Sequence, residues 1–227
     1  MSNVAGYSTD GVAQHVFALL LHILNNVSKH NRSVKKGFWS VSPDFSFTIF
    51  PIQDLAHKTF GIYGYGTIAK AVAKVAHAFN MKVIASSRSN KSGKDGFVTF
   101  VDEEALLKQS DVLSLHAALN KESHEFINKS NLSKMKESSI LINTGRGPLI
   151  NEQDLADALQ LGEIFAAGLD VLVEEPAQLS HPFYHLKNCV LTPHMAWSTV
   201  DSRKRLLQST VENIKAFLNG KPINLIN

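Results

Sequence analysis

The stretch Gly64-Tyr65-Gly66-Thr67-Ile68-Ala69 constrains this chain more than any other, because it stands between an apolar run at 59–63 and a segment of helical period at 67–79. A strand that enters a helix through two glycines and a small residue places a G-x-G-x-x-G/A turn in the context that gives the pattern its meaning. Gly64 permits the tight bend, Gly66 lets backbone approach a pyrophosphate, and Ala69 lets the helix pack on the strand. N–H groups at the helix start, with the helix dipole, are suited to hold the phosphates.

The rest of the chain repeats the alternation. Strands are expected at 82–86, 97–100, 112–116, 139–143, 166–170 and 189–191, with helices at 103–109 and 151–161 between them. Such alternation predicts an α/β fold with a doubly wound parallel sheet covered on both faces, and the run Ile140-Leu141-Ile142 fits double burial. Upstream, Val12, Val16, Phe17, Leu20, Leu24 and Val27 recur at helical spacing, predicting one helix over 11–29 that is buried on most sides. Residues 31–53 carry Gly37, Pro43 and Pro51 without a period and read as an extended connection lying on the core. A last helix is expected over 199–218, closed by Gly220 and Pro222. The organisation is therefore residues 1–35 as helix and linker, 36–198 as a Rossmann-type NAD(P)-binding domain, and 199–227 as a C-terminal helix.

Composition narrows the partners. With 44% hydrophobic and 19% charged residues, the 227-residue chain can bury a substantial core. Its net charge of +3 comes from scattered lysines and arginines, which argues against nucleic acid and leaves an anionic cofactor or substrate open. The longest apolar stretch, 16–24, is interrupted by His22 and is too short for a bilayer or a signal peptide. The lone Cys189 reads as a buried strand residue and fits a reducing, cytoplasmic setting. No Cys, His or carboxylate spacing suggests a metal site.

At the end of the second strand, where a carboxylate would accept from both adenosine ribose hydroxyls, the chain has Ser86-Ser87-Arg88. Without that carboxylate nothing repels a 2′-phosphate, and Ser87 with Arg88 can bind one through charge-assisted hydrogen bonds. NADP is favoured, and NAD remains possible.

Three further motifs lie downstream: Asn143-Thr144-Gly145-Arg146-Gly147, the stretch from Asp170 to Glu175-Pro176, and Leu191-Thr192-Pro193-His194. Reduction of a 2-oxo acid needs a cation for the carboxylate, a proton donor for the oxygen and a carboxylate to tune that donor. Arginine offers a planar fork for the first and histidine titrates near neutral pH for the second.

Taken in order and spacing, these motifs resemble the D-isomer-specific 2-hydroxyacid dehydrogenase family, and Pro193-His194-Met195-Ala196-Trp197 resembles its glycerate dehydrogenase (hydroxypyruvate reductase) branch. The resemblance runs from Val4 to the last residue. It implies that Arg146 binds the substrate carboxylate and polarises the keto oxygen, that His194 exchanges the proton, and that Glu175 hydrogen-bonds the imidazole. Tyr65, Gly66, Thr67 and Ile68 would line the pyrophosphate, and His116 and Ala117 would border the cleft. Thr144, Gly145, Arg146 and His194 would adjoin the cofactor, with Asp170 holding the nicotinamide carboxamide. The implied reaction passes a hydride between NAD(P)H and a small 2-oxo acid, hydroxypyruvate or glyoxylate, giving D-glycerate or glycolate. A homodimer through the 11–29 helix is also implied.

The family builds its substrate domain from an N-terminal stretch plus the last helix, whereas this sequence starts at the nucleotide-binding half. Only a C-terminal remnant of that domain is therefore expected, with exposed apolar surface, a one-sided active site and weak or absent catalysis. That leaves open a second reading, a nucleotide-binding, corepressor-like sensor without turnover. A formate-type dehydrogenase is disfavoured, because that branch resembles a glutamine where Glu175 stands. Smaller departures are Ala69, Ser87, Ala118 for a proline, and His57 at a turn position where a glycine is usual. A side chain at positive φ there costs of order 1 kcal/mol.

Overall fold

The computed structural model describes residues 1–88 and 92–226. Two helices come first, α1 (Thr9–Asn25) and α2 (Val27–Lys35), followed by β1 (Thr59–Tyr63), α3 (Thr67–Ala78), β2 (Lys82–Ser86), β3 (Gly93–Asp95) and β4 (Val98–Phe100). Next are α4 (Glu103–Gln109), β5 (Val112–Leu115), the single turn α5 (Lys129–Leu132), β6 (Ile140–Asn143) and α6 (Glu152–Leu161). β7 (Ala166–Leu169), β8 (Cys189–Leu191) and α7 (Val200–Leu218) complete the chain, with 3₁₀ turns at Gly147–Leu149 and Pro182–His185.

The strands form one eight-stranded sheet in the order β3-β4-β2-β1-β5-β6-β7-β8, parallel throughout except where β3 runs antiparallel to β4. This is the doubly wound α/β architecture expected from the alternation. Because side chains alternate along a strand, Phe60, Ile62, Ile140 and Ile142 pack with α1 and α3, while Tyr63, Leu113, Leu115 and Leu141 pack with α4 and α6. Each face thus has its own core. All the parallel strands end on one edge of the sheet, where open α/β sheets hold their ligands.

Several expectations are corrected. The single helix over 11–29 is two helices, broken at Asn26, which takes left-handed backbone (φ 46°) and donates from its side chain to the Ile23 carbonyl. Asparagine tolerates that conformation and ends helices with it, a signal hidden by the apolar Val27 that follows. α1 is buried along most of its length, whereas α2 buries no residue. The apolar excess of the first helix is thereby used inside the chain, against α3, β6 and β7. Residues 31–53 are not an extended segment on the core: helix continues to Lys35, and beyond it Phe38, Trp39, Val41 and Phe45 stand exposed. β3 and α5 carry too few apolar residues to be read from the sequence.

Two other expectations hold. His57 has positive φ (67°) at the turn into β1. α7 buries only Ser202 and Asn213 and leaves Val200, Leu207, Ile214, Phe217 and Leu218 exposed. α7 is tied instead to the first residues of the chain, through Arg205 Nε to the Tyr7 carbonyl (2.8 Å) and Asn213 Nδ2 to the Asn3 carbonyl (2.9 Å). Among the described residues no helix is long and apolar enough to cross a membrane, and no cluster of three metal-ligating side chains occurs.

Candidate active site

At the end of β1 the chain turns through Gly64 with φ +87°, and a Cβ there would collide with the backbone of Ala117 beyond β5. Gly66 is the opposite case. Nothing lies within 4 Å of the place its Cβ would occupy, so backbone faces open space. Gly66 is also the N-cap of α3, where no side chain caps the helix and no acid sits in the first turn. The N–H groups of Thr67 and Ile68 are thus open to an anion. Ala69 is fully buried, as helix-on-strand packing requires.

A cleft of about 820 Å³ opens in front of this turn. Gly64, Tyr65 and Gly66 form its floor, Ser87 and Arg88 lie beyond β2, and His116 and Ala117 lie beyond β5. Asp102, Glu103 and Glu122 make the facing wall acidic. Arg88 reaches toward Glu122 at 3.9 Å, both side chains more than three-quarters exposed. Burial, reinforced by Glu103 and Glu122, pushes the Tyr63 hydroxyl up to about 12. His116 contacts the Ser114 hydroxyl through Nε2 (2.9 Å), and the protein packed around its ring pushes its pKa down to about 4, so the imidazole is neutral at physiological pH.

Further along the same edge, the turns after β6, β7 and β8 carry the other candidates. The buried Asn143 closes the first of them by accepting from Gly145 N–H (3.0 Å) and donating to the Arg146 carbonyl (2.9 Å). Arg146 is consequently held exposed at the strand end, its guanidinium donating to the Gly145 carbonyl (2.7 Å). A Cβ on Gly147 would collide with the backbone of Leu172 and Val173, so the Arg146 turn lies directly on the loop that follows β7.

That loop presents Glu175. One oxygen accepts from the Leu172 N–H (2.8 Å), and the other lies 2.6 Å from His194 Nδ1. His194 itself sits in left-handed backbone (φ 50°), a conformation that non-glycine residues rarely adopt and that recurs at functional sites. Its N–H donates to the Asp170 carbonyl (2.8 Å). The Asp170 carboxylate accepts from the Met195 and Ala196 N–H groups and from Thr192 Oγ1, and His15 of α1 approaches it at 3.4 Å. Burial pushes this carboxyl up, and the hydrogen bonds from His15, Thr192, Ala196 and Met195 outweigh it and hold the group below the usual carboxylate range. Oδ1 takes most of these contacts and Oδ2 the one from Ala196, and the side chain is fully enclosed.

Asn143, Thr192 and His15 therefore shape the site although chemistry did not single them out. A histidine on the apolar helix at 11–29 was the available signal for His15. Thr144 supplies a different kind of observation, because its Oγ1 is buried with no hydrogen-bond partner among the described residues. An uncapped helix start and a glycine facing open space beyond β1, and an orphaned hydroxyl beyond β6 on the far side of β5, fit a dinucleotide lying along this edge.

Residues 17–196 match the family model described as D-isomer specific 2-hydroxyacid dehydrogenase, NAD binding domain. The chain is 43% identical over 228 aligned positions to a hydroxypyruvate reductase of Blautia hydrogenotrophica, covering 100% of this chain and 71% of that protein. It is 38% identical to a glycerate dehydrogenase of Methylorubrum extorquens, with 99% and 70% covered. Among solved structures, an acyclic imino acid reductase in complex with NADPH and D-Arg superposes with a TM-score of 0.86 at 36% identity, covering 100% of this chain and 70% of that one. The NAD-complexed D-isomer specific 2-hydroxyacid dehydrogenase of Lactobacillus delbrueckii ssp. bulgaricus gives a TM-score of 0.83 at 28% identity, with 100% and 71% covered. The chain belongs to the D-isomer specific 2-hydroxyacid dehydrogenase family, an oxidoreductase family, and its sheet is the family's NAD-binding domain.

Proposed function

We propose that this protein reduces a small 2-oxo acid, hydroxypyruvate or glyoxylate, to the D-hydroxy acid, with Arg146, Glu175 and His194 as the reacting set. The observation that carries the reading is the 2.6 Å contact between His194 Nδ1 and Glu175 at the end of the strand next but one to that bearing Arg146. The names of the relatives, hydroxypyruvate reductase and glycerate dehydrogenase, support the substrate class.

Arg146 offers its guanidinium fork to the substrate carboxylate and draws electron density from the adjacent keto oxygen. His194, oriented through Nδ1 by Glu175, presents Nε2 to that oxygen and gives it a proton as negative charge develops there. Its side chain is 44% exposed, enough for water to restore the proton. A bound nicotinamide cofactor supplies the hydride that arrives at the carbonyl carbon. Backbone at Gly66, Thr67 and Ile68 and the Thr144 hydroxyl would hold it, with Asp170 as the partner of the carboxamide.

NADPH is the preferred form in this proposal, through Ser87 and Arg88, with Arg88 turning from Glu122 to a 2′-phosphate. A neighbour solved with NADPH and another with NAD support the cofactor class. Residues 36–198 serve as the nucleotide-binding domain, with 1–35 packed on it and 199–227 belonging to the substrate half. Two copies associate in a homodimer, for which the exposed Phe38, Trp39, Val41 and Phe45 support an apolar contact surface. A cytoplasmic setting belongs to the same proposal, in keeping with a single, unpaired cysteine.

The deciding experiment follows NADPH and NADH consumption with hydroxypyruvate, glyoxylate and pyruvate, beside direct cofactor titration. His194→Gln is expected to lower kcat by about 10³-fold, and Arg146→Ala to act mainly through KM. Cofactor binding without turnover of any acid would favour the sensor reading instead.

A further inference from the structure

The loop that presents Glu175 has its own fastening, built from residues that take no part in the proposed chemistry. Glu152 is the first residue of α6, next to its N-cap Asn151. One oxygen accepts from the Val173 N–H at 2.9 Å, and the other lies 3.2 Å from His181 Nε2. Val173 stands two residues before Glu175 and His181 six residues after it, so one carboxylate holds both limbs of the loop. Both side chains are largely enclosed, His181 at 14% exposure and Glu152 at 20%.

The histidine is oriented in turn. The Phe183 N–H points at Nδ1 (3.4 Å), which leaves the ring proton on Nε2, facing Glu152. The same loop also packs on Gly147, where a Cβ would collide with the Leu172–Val173 backbone. Within the loop, Leu172 N–H then donates to Glu175 Oε1. A continuous path therefore leads from α6 through Val173 and Leu172 to the carboxylate that orients His194.

We propose that Glu152, supported by His181, is a positioning residue: it clamps the loop closed and thereby holds Glu175 in register with His194. Rigid support of this kind is what a side chain on an exposed loop requires if it is to act at a fixed distance. The inference rests on the reading of Glu175 and His194 as the orienting and proton-donating pair.

The test combines a measurement on the cofactor-free chain with one on turnover. In Glu152→Ala, amide hydrogen exchange at Val173 and Leu172 is expected to accelerate about 10- to 100-fold while exchange in β5 and β6 is unchanged, in line with the loss of one or two hydrogen bonds that fasten the loop. The His194 ring-nitrogen resonances should move toward their positions in Glu175→Gln. Under saturating substrate kcat should fall by about tenfold or more, with KM nearly unchanged, because Arg146 keeps its place. Glu152→Gln retains an acceptor for Val173 N–H and should recover most of each change. His181→Ala frees only the far limb, and an intermediate response is expected; this variant decides the matter if Glu152→Ala does not fold. The proposal is overturned if the His194 resonances in these variants stay at the parent positions, or if Ala and Gln at 152 lower thermal stability alike without touching them. Should the resonances respond in a chain that turns over no 2-oxo acid, the clamp stands and the functional reading fails.

Discussion

The two halves of the ligand edge are built by different means. Beyond β2, β1 and β5 the surface is mostly backbone: a left-handed glycine, a second glycine open to solvent and an uncapped helix start. Beyond β6, β7 and β8 it is built of side chains, with Asn143 stitching one turn, Asp170 gathering four donors for the next and Glu175 touching His194. Backbone geometry suits a ligand recognised by its phosphates, which every dinucleotide shares. Side-chain geometry suits a reaction in which a proton and a carboxylate must be placed within fractions of an ångström. The first half is encoded by residues adjacent in sequence. The second depends on contacts as distant as His15 with Thr192.

That contrast is open to direct attack. The largest effect is expected from a single methyl group at each half. Gly64→Ala meets both a positive φ and the Ala117 backbone, and Gly147→Ala meets the Leu172 backbone, so each should cost about 3 kcal/mol or more in urea unfolding. Gly64→Ala should also abolish cofactor binding in a titration, whereas Gly147→Ala, where still folded, should keep it and lose turnover. Equal loss of binding in both would erase the distinction.

Acid titration separates the halves next. His116 is held neutral in the folded chain, with a pKa of about 4 against an ordinary value of 6.5. Between those values the unfolded chain binds the extra proton, so stability falls as pH drops through that window, by up to about 3 kcal/mol in total. Chemical denaturation at pH 7.5, 5.5 and 4.5 should show this slope, and His116→Gln should flatten it. Asp170 is also held below its ordinary range, but there the fold favours the charged form, so its contribution is intact above about pH 4 and is lost as pH falls through its lowered value.

Asp170→Asn sharpens the comparison with a smaller effect. Removing the charge while keeping the shape should weaken the N–H contacts from Met195 and Ala196 and cost about 2 kcal/mol. Its larger consequence is kinetic, since the bend that holds His194 loosens and the proposed partner of the carboxamide changes, so kcat should fall by more than cofactor affinity. The smallest effect is a gain. His57→Gly, at the opposite end of β1 from the ligand edge, relieves a φ of 67° and should raise stability by about 0.5 kcal/mol, with both binding and turnover unaltered.

The same contrast decides what could be read from the chain. Gly64, Gly66 and Ala69 announce their roles because the turn needs those residue types at those three positions, whatever the remaining fold. Arg146, Glu175 and His194 stand out in sequence as candidates, yet nothing adjacent to them reveals the supports: Glu152 lies 23 positions before Glu175, and His15 lies 155 before Asp170. The strands of the parallel sheet were legible from their apolar runs. The break at Asn26 was not, because a left-handed asparagine leaves the hydrophobic period on either side intact. The exposed aromatics of 38–45 were misplaced for the converse reason, since hydrophobic character alone does not say whether a side chain finds a neighbour within the same chain.

One further consequence comes from β3, three exposed residues that run against the direction of the rest of the sheet. Opening on Gly93 and followed by Gly96, both with positive φ, and bearing Lys94 and Asp95, it is too short, too bent and too charged to template another strand. The margin of the sheet nearest the cofactor turn is therefore protected against runaway fibrillar stacking.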